Sequence, residues 1–87
     1  MSNPAFAAKP TLYKVMARVE EEVAHPNGEP KYRWVLVRDG MPRGTSEAIA
    51  SQVQRDGFRL DTDRGALFYP AHRIMLVEAI HSDIEVK

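Results

Sequence analysis

The stretch that decides the fold is "DGMPRGTSEAIASQVQRDGF", residues 39–58. Gly40, Pro42 and Gly44 fall close together and predict a loop, because none of them suits the interior of a helix or strand. The residues after this loop have the composition and spacing of a short helix. The segments on both sides are instead rich in β-branched and aromatic residues. One helix among short strands predicts a small α+β domain.

The predicted helix has signals at both ends. Thr45 or Ser46 can cap its first turn by accepting hydrogen bonds from the free N–H groups there. Ile49 and Val53 belong to one apolar stripe, the side expected to face the core. Gly57 follows the last turn, and glycine readily takes the positive φ that ends many helices. The chain therefore predicts a helix that begins near Thr45 and ends at Gly57.

The segment before this stretch, residues 11–23, has two interpretations. Its apolar residues fall on one stripe at helical spacing, but they also alternate with charged residues as in a half-buried strand. The next segment, "HPNGEP" at residues 25–30, contains an Asn-Gly pair that suits a tight hairpin turn. The following "KYRWVLVRDG", residues 31–40, has residues that pack well on a pleated surface. Two strands of a β-hairpin are therefore favoured over a helix.

The turn also predicts a register for this hairpin. If Asn-Gly forms a two-residue loop, Val19 faces Leu36 and Glu22 faces Arg33, so that apolar and charged residues are matched across the strands. The two prolines in "HPNGEP" could instead force a longer loop and shift the register.

The residues after the helix predict further strands. Phe58–Leu60 and Ala66–Tyr69 flank the turn "DTDRG", residues 61–65. Ile74–Val77 is apolar at every position, which predicts an interior strand covered on both faces. The final "IHSDIEVK" adds an edge strand or a fraying tail. The expected fold is thus a β-hairpin, one helix and two or three further strands, with the helix on one face of a small antiparallel or mixed sheet.

Composition limits the function. The 87 residues predict a flexible N-terminal tail, residues 1–10, and a single domain, residues 11–87. There is no cysteine, so disulfides and thiolate metal sites are excluded.

Twelve basic residues balance twelve acidic ones, which gives no overall attraction to nucleic acid or an anionic membrane. No apolar run is long enough to span a membrane and no secretory signal is evident, so a cytoplasmic location is expected.

Little in the sequence points to catalysis or to a metal. Asp61 and Asp63 have the spacing of the first two ligands in a calcium loop, but Gly65 replaces the third. The histidines show no pair at zinc-ligand spacing. No serine occupies a nucleophile elbow, and no glycine-rich phosphate loop is present. We therefore expect a protein that is not an enzyme and has no metal and no cofactor.

The arginines are the more informative residues. Eight of the twelve cations are arginine, which favours planar, bidentate contacts. Arginines at strand ends and in loops, together with aromatic side chains, are typical of interfaces with protein or single-stranded RNA. The candidate binding residues are Trp34, Arg38, Arg43, Arg64, Tyr69, His72 and Arg73.

One stretch bears a resemblance to a known family. "DRGALFYPAHRIMLVE", residues 63–78, resembles the end of an archaeal and eukaryotic domain family proposed to recognise cyclic-phosphate ends of RNA. Members of that family often carry Pro-x-His-Arg-Ile before their last strands, which corresponds here to Pro70, His72, Arg73 and Ile74. The resemblance covers about a fifth of the chain. The resemblance is a reason to test whether Tyr69, His72 and Arg73 bind RNA.

In an extended strand, however, the side chains of His72 and Arg73 would point to opposite faces and could not share one ligand. The leading expectation is therefore a protein-interaction module, an adaptor or inhibitor, which binds another protein or itself as a homodimer. The alternative is an RNA-binding domain. No membrane partner is expected.

Overall fold

A computed structural model describes residues 11–21, residue 28 and residues 31–86. These residues form one α-helix and five strands in two antiparallel sheets, which confirms the predicted small α+β fold. The predicted tail, residues 1–10, lies outside the described residues. In chain order the elements are β1 (Tyr13–Glu20), β2 (Tyr32–Met41), α1 (Arg43–Asp56), β3 (Phe58–Thr62), β4 (Gly65–Tyr69), a 3₁₀ turn (Ala71–Arg73) and β5 (Ile74–His81).

The larger sheet has three strands in the order β2-β1-β5, with β1 in the centre. Val15, Ala17 and Val19 alternate along β1 and are fully buried. We call the side that they share the inner face. The opposite side is the outer face, which carries Met16, Arg18, Trp34, Leu36, Leu76 and Glu78 according to the strand pairing.

The prediction that Ile74–Val77 is an interior strand is wrong. β5 pairs only with β1 among the described strands and forms an edge of the sheet. Met75 and Leu76 are 57% and 45% exposed. An apolar run shows that a strand has apolar side chains on both faces. It does not show whether the rest of the fold covers them.

The β1–β2 hairpin exists, but its predicted register is wrong. Val19 faces Arg33 instead of Leu36, a shift of three residues, and Glu22 lies outside the described residues. Towards the connection, the described residues Glu21 and Lys31 are joined by the hydrogen bond from the Glu21 N–H to the Lys31 O, at 2.8 Å. In the observed register Ala17 lies opposite Val35, and both are buried on the inner face.

The helix begins earlier than predicted and without a side-chain cap. Arg43 is its first residue, and Pro42 occupies the capping position in an extended conformation. Ser46 lies inside the helix and is fully buried, and its hydroxyl donates to the Arg43 O at 2.6 Å. The predicted end at Gly57 is confirmed: its φ is 82°, and its N–H donates to the Val53 O at 2.8 Å. Proline has a fixed φ and no N–H, so it suits the start of a helix better than its interior, and the helix begins directly after Pro42.

The predicted β3–β4 hairpin is confirmed, with strands that extend further into "DTDRG". Thr62 pairs with Gly65 around a two-residue turn, and Phe58 stacks on Tyr69 with ring centroids 5.0 Å apart. Helix and hairpin both pack on the inner face, where the core lies. The buried cluster is Ala17, Val19, Val35 and Val53, with Val37, Ile49, Phe58, Leu60, Tyr69, Ile74 and Val77 packed against it. In the described part of the chain, no helix is long and apolar enough to cross a membrane.

Candidate functional site

The structure does not bring the predicted binding residues together in one site. Trp34 lies on the outer face, half-buried and opposite Arg18. Arg38 is exposed towards the other end of β2. Arg43 begins the helix and pairs with a glutamate one turn later, and Arg64 lies in the β3–β4 turn. These four residues belong to separate regions of the surface.

Tyr69 and Arg73, by contrast, line one groove, which we call the Tyr69 groove. It has a volume of about 390 Å³ and lies where the end of β1 meets β2 and β4. Sequence reasoning missed its acidic residues, because nothing in the chain placed the end of β1 beside β4. The lining residues are Glu20, Glu21, Arg33, Leu67, Phe68, Tyr69 and Arg73.

The cations of the Tyr69 groove already have partners within the protein. Arg33 Nη2 donates to the Tyr69 hydroxyl at 2.7 Å, and Arg33 Nε lies 3.5 Å from Glu21 Oε1. Lys31 Nζ approaches the same carboxylate at 3.7 Å. Arg73 Nη2 donates to the Glu20 O at 2.8 Å. A phosphate entering this groove would compete with these contacts and would meet carboxylates beside the guanidinium groups.

His72 does not line the groove, and the prediction that it begins an extended strand with Arg73 is wrong. Ala71–Arg73 forms a 3₁₀ turn, closed by the hydrogen bond from the Arg73 N–H to the Pro70 O at 3.0 Å. The strand starts only at Ile74. His72 is exposed on this turn, whereas Arg73 reaches back to β1. Arg73 therefore connects the 3₁₀ turn to the central strand.

Asp61 and Asp63, which have the spacing of calcium ligands, lie in the β3–β4 hairpin. Asp61 is held by Arg59 at 2.8 Å. Within residues 11–21, 28 and 31–86, no three side chains of the types that bind metals come together.

Asp39, near the end of β2, is a carboxyl group whose pKa is lowered from its ordinary value. The Ser82 hydroxyl lowers the pKa of this carboxyl most, followed by the Gly40 N–H, which donates to Asp39 Oδ1 at 2.7 Å, and by the charge of Lys14. Ser82 Oγ is buried and has no hydrogen-bond partner at standard geometry among the described residues. Asp39 itself is fully exposed to solvent.

The free edge of β5 is the surface feature that sequence reasoning did not find. We call it the β5 edge: the side of Ile74–His81 that has no neighbouring strand among the described residues. Its sequence, "IMLVEAIH", carries one carboxylate and neither lysine, arginine nor proline. The other edge, β2, carries Arg33, Arg38 and Asp39. Charges of this kind protect edge strands from pairing with other chains, and β5 has far fewer of them.

Comparison of the chain with protein-family models, curated proteins and solved structures found no match. The local resemblance at residues 63–78 is thus not accompanied by similarity over the whole chain.

Proposed function

We propose that this chain is a protein-interaction module, an adaptor or inhibitor without catalytic activity, which binds its partner through the β5 edge and the adjoining part of the outer face. The observation that carries this proposal is an apolar, eight-residue edge strand with a single charged residue, Glu78. The absence of cysteine suits a reducing compartment, and we place the protein in the cytoplasm.

The physical reason is the unused hydrogen-bonding capacity of an edge. An edge strand presents a row of N–H and C=O groups that another strand can pair with, which makes strand addition a common mode of protein recognition. Main-chain pairing supplies affinity, and side chains next to the edge supply specificity. Met75 and Leu76 are exposed at this edge, where a partner would remove their apolar surface from water.

The outer face extends this surface away from the edge. Leu36 is 44% exposed on β2, and Trp34 lies two residues before it on the same face of this strand. Aromatic residues and arginine are common at the centres of protein interfaces. Arg18, whose guanidinium lies 5.4 Å from the Tyr32 ring centroid, provides a charged group in the same region.

Site-specific photo-crosslinking tests this proposal. A benzoylphenylalanine at Met75 is expected to crosslink a discrete protein in cells, because this position lies at the binding edge. The matched control is the same residue at Phe68, which is 72% exposed but lies on β4, away from the β5 edge. Equal labelling at both positions, or no protein adduct at Met75, would overturn the proposal.

RNA binding is the second candidate, and the Tyr69 groove is the observation that favours it. Tyr69 and two arginines line this groove with Phe68, whose exposed ring could stack on a base. The zero net charge and the internal partners of Arg33 count against it.

Fluorescence anisotropy with a labelled single-stranded oligonucleotide separates the two candidates. An RNA-binding domain requires affinity that falls as salt rises, because counterions released from the phosphates return. If the protein binds RNA in the Tyr69 groove, Phe68→Ala should weaken RNA binding. Met75→Ala, an apolar truncation away from the groove, should leave it unchanged. We expect no salt-dependent binding.

A further inference from the structure

We infer that the partner at the β5 edge is a second copy of this chain, joined by antiparallel pairing of the two β5 strands about Val77. This inference depends on the proposed function, since it names the occupant of the same edge. The joined protomers would share one continuous sheet of six strands, formed from two three-stranded sheets.

The size of the core supports association with a second copy. Among the described residues, only seven apolar side chains are buried. Small domains bury a small fraction of their surface and are correspondingly marginal in stability. A sheet of five or six strands is the common size, and a three-stranded sheet is at the small end of the range. Pairing identical edges removes both from solvent and closes the assembly with two-fold symmetry.

Geometry restricts the register of such a pair. A two-fold axis perpendicular to the sheet keeps each face on the same side, so the axis must pass through a residue position rather than between two residues. The β5 strand, Ile74–His81, overlaps most with its copy when the axis lies at Val77 or at Glu78. An axis at Glu78 would place the two Glu78 carboxylates directly opposite each other, which is destabilising. The axis at Val77 places Glu78 opposite Leu76 of the second copy.

Charge on the outer face agrees with the register about Val77. Arg18 faces Leu76 within one protomer. In the joined sheet, Glu78 of the second copy follows Leu76 in the same row, two strand spacings or roughly 10 Å from Arg18. The two long side chains can bridge this separation above Leu76. The symmetry gives two such pairs in each dimer.

Disulfide trapping tests both the edge and the register, because the chain contains no native cysteine. The double variant Leu76→Cys/Glu78→Cys places cysteines directly opposite each other in the Val77 register, with Cβ atoms about 5 Å apart, close to the separation that a disulfide needs. It should form a covalent dimer in a glutathione buffer. Glu78→Cys alone should not, because its own copy is then a diagonal neighbour about 7–8 Å away. Leu36→Cys is the matched control, since Leu36 and Leu76 are 44% and 45% exposed on the same face.

Light scattering of the unmodified chain measures the dimer directly. We expect a dimer whose dissociation constant rises at least about tenfold in Leu76→Glu and is unchanged in Leu36→Glu, because only Leu76→Glu places a carboxylate directly opposite Glu78 of the second copy. Crosslinking of Glu78→Cys alone as readily as the double variant would refute the register about Val77. A monomer at all concentrations, or equal trapping of Leu36→Cys, would refute the homodimer.

The photo-crosslinking result distinguishes failure of this inference from failure of the proposed function. A monomer whose Met75 crosslinks to a different protein, with Phe68 unlabelled, leaves the interaction module standing and removes only the second copy. A monomer without an adduct at Met75 removes both.

Discussion

Gly57 joins α1 to β3 and lies against the backbone of residues 69–71, and Gly57→Ala is the sharpest test of the fold. Its φ of 82° and ψ of −170° lie in a region that is essentially restricted to glycine. A Cβ at this position would also collide with the Tyr69 O and approach the Ala71 N and the Pro70 Cα, each at 3.1 Å. Two independent costs therefore act at one residue.

Their sum can be compared with the stability of the domain. The backbone conformation costs about 1–3 kcal/mol for a residue with a Cβ. Displacing packed backbone adds about 1–3 kcal/mol, as overpacking does in cores. A total of about 2–6 kcal/mol is a large part of the roughly 5–15 kcal/mol by which natural domains are stable. The midpoint of thermal unfolding should fall by on the order of 10–50 °C.

Two other glycines separate these costs. Gly40 has a φ of 74° and nothing within 4 Å of an added Cβ, so Gly40→Ala should cost about 1 kcal/mol from the backbone alone. Gly44 lies in the helix without a positive φ and with open space, so Gly44→Ala should be neutral or stabilising by up to about 1 kcal/mol. Urea unfolding followed by the fluorescence of Trp34, the one tryptophan, measures all three variants. Each should be measured at several protein concentrations, because dimerisation raises apparent stability.

The order of the three variants decides the result. Equal losses in Gly57→Ala and Gly40→Ala would mean that the contact of Gly57 with the 69–71 backbone is absent, and the account of the groove would fail. A loss in Gly44→Ala as large as that in Gly57→Ala would refute the conformational argument.

Three further predictions concern the core, the groove and the end of β2. Val53 is 2% exposed, so Val53→Ala should lose about 2–3 kcal/mol in urea unfolding, and a loss below about 0.5 kcal/mol would contradict its place in the core. Tyr69→Phe keeps the ring stacking and removes only the hydroxyl that accepts from Arg33, which is an exposed contact. The free energy of unfolding should therefore fall by less than about 1 kcal/mol, and a larger loss would show that this contact is structural. The lowered pKa of Asp39 means that its contribution to stability is present above its ordinary value and is lost as pH falls through the folded-state pKa. Carboxyl-carbon NMR should show this low midpoint and a rise in Ser82→Ala, and an unchanged midpoint would remove Ser82 as the main cause.

Several elements were predictable because their signals are local. The end of α1 at Gly57 follows from a short-range backbone preference, and the β3–β4 turn follows from the chemistry of "DTDRG". The α+β class needed only the order of these elements. The start of α1 was misplaced because Pro42 and a hydroxyl in the next turn are both plausible starts, and local sequence does not rank them.

The candidate site was much less predictable. Tyr69 and Arg73 were found from residue type, but their neighbour Arg33 lies 36 residues before Tyr69 in the chain and reaches it only through the fold. His72 was placed on a strand because an apolar run follows it, whereas the 3₁₀ turn is closed by a hydrogen bond to Pro70.

The sequence by itself therefore determined the class of fold, the end of the helix and the existence of both hairpins, since each depends on residues close together in the chain. The tertiary structure decided the β1–β2 register, the central place of β1 and the open edge of β5. These depend on which apolar faces meet beneath the helix: in the observed register Ala17 lies opposite Val35, and both pack in one buried cluster with Val53. Pairing β5 with β1 alone leaves one side of an apolar strand without a neighbour, and no local pattern in "IMLVEAIH" reveals which side that is.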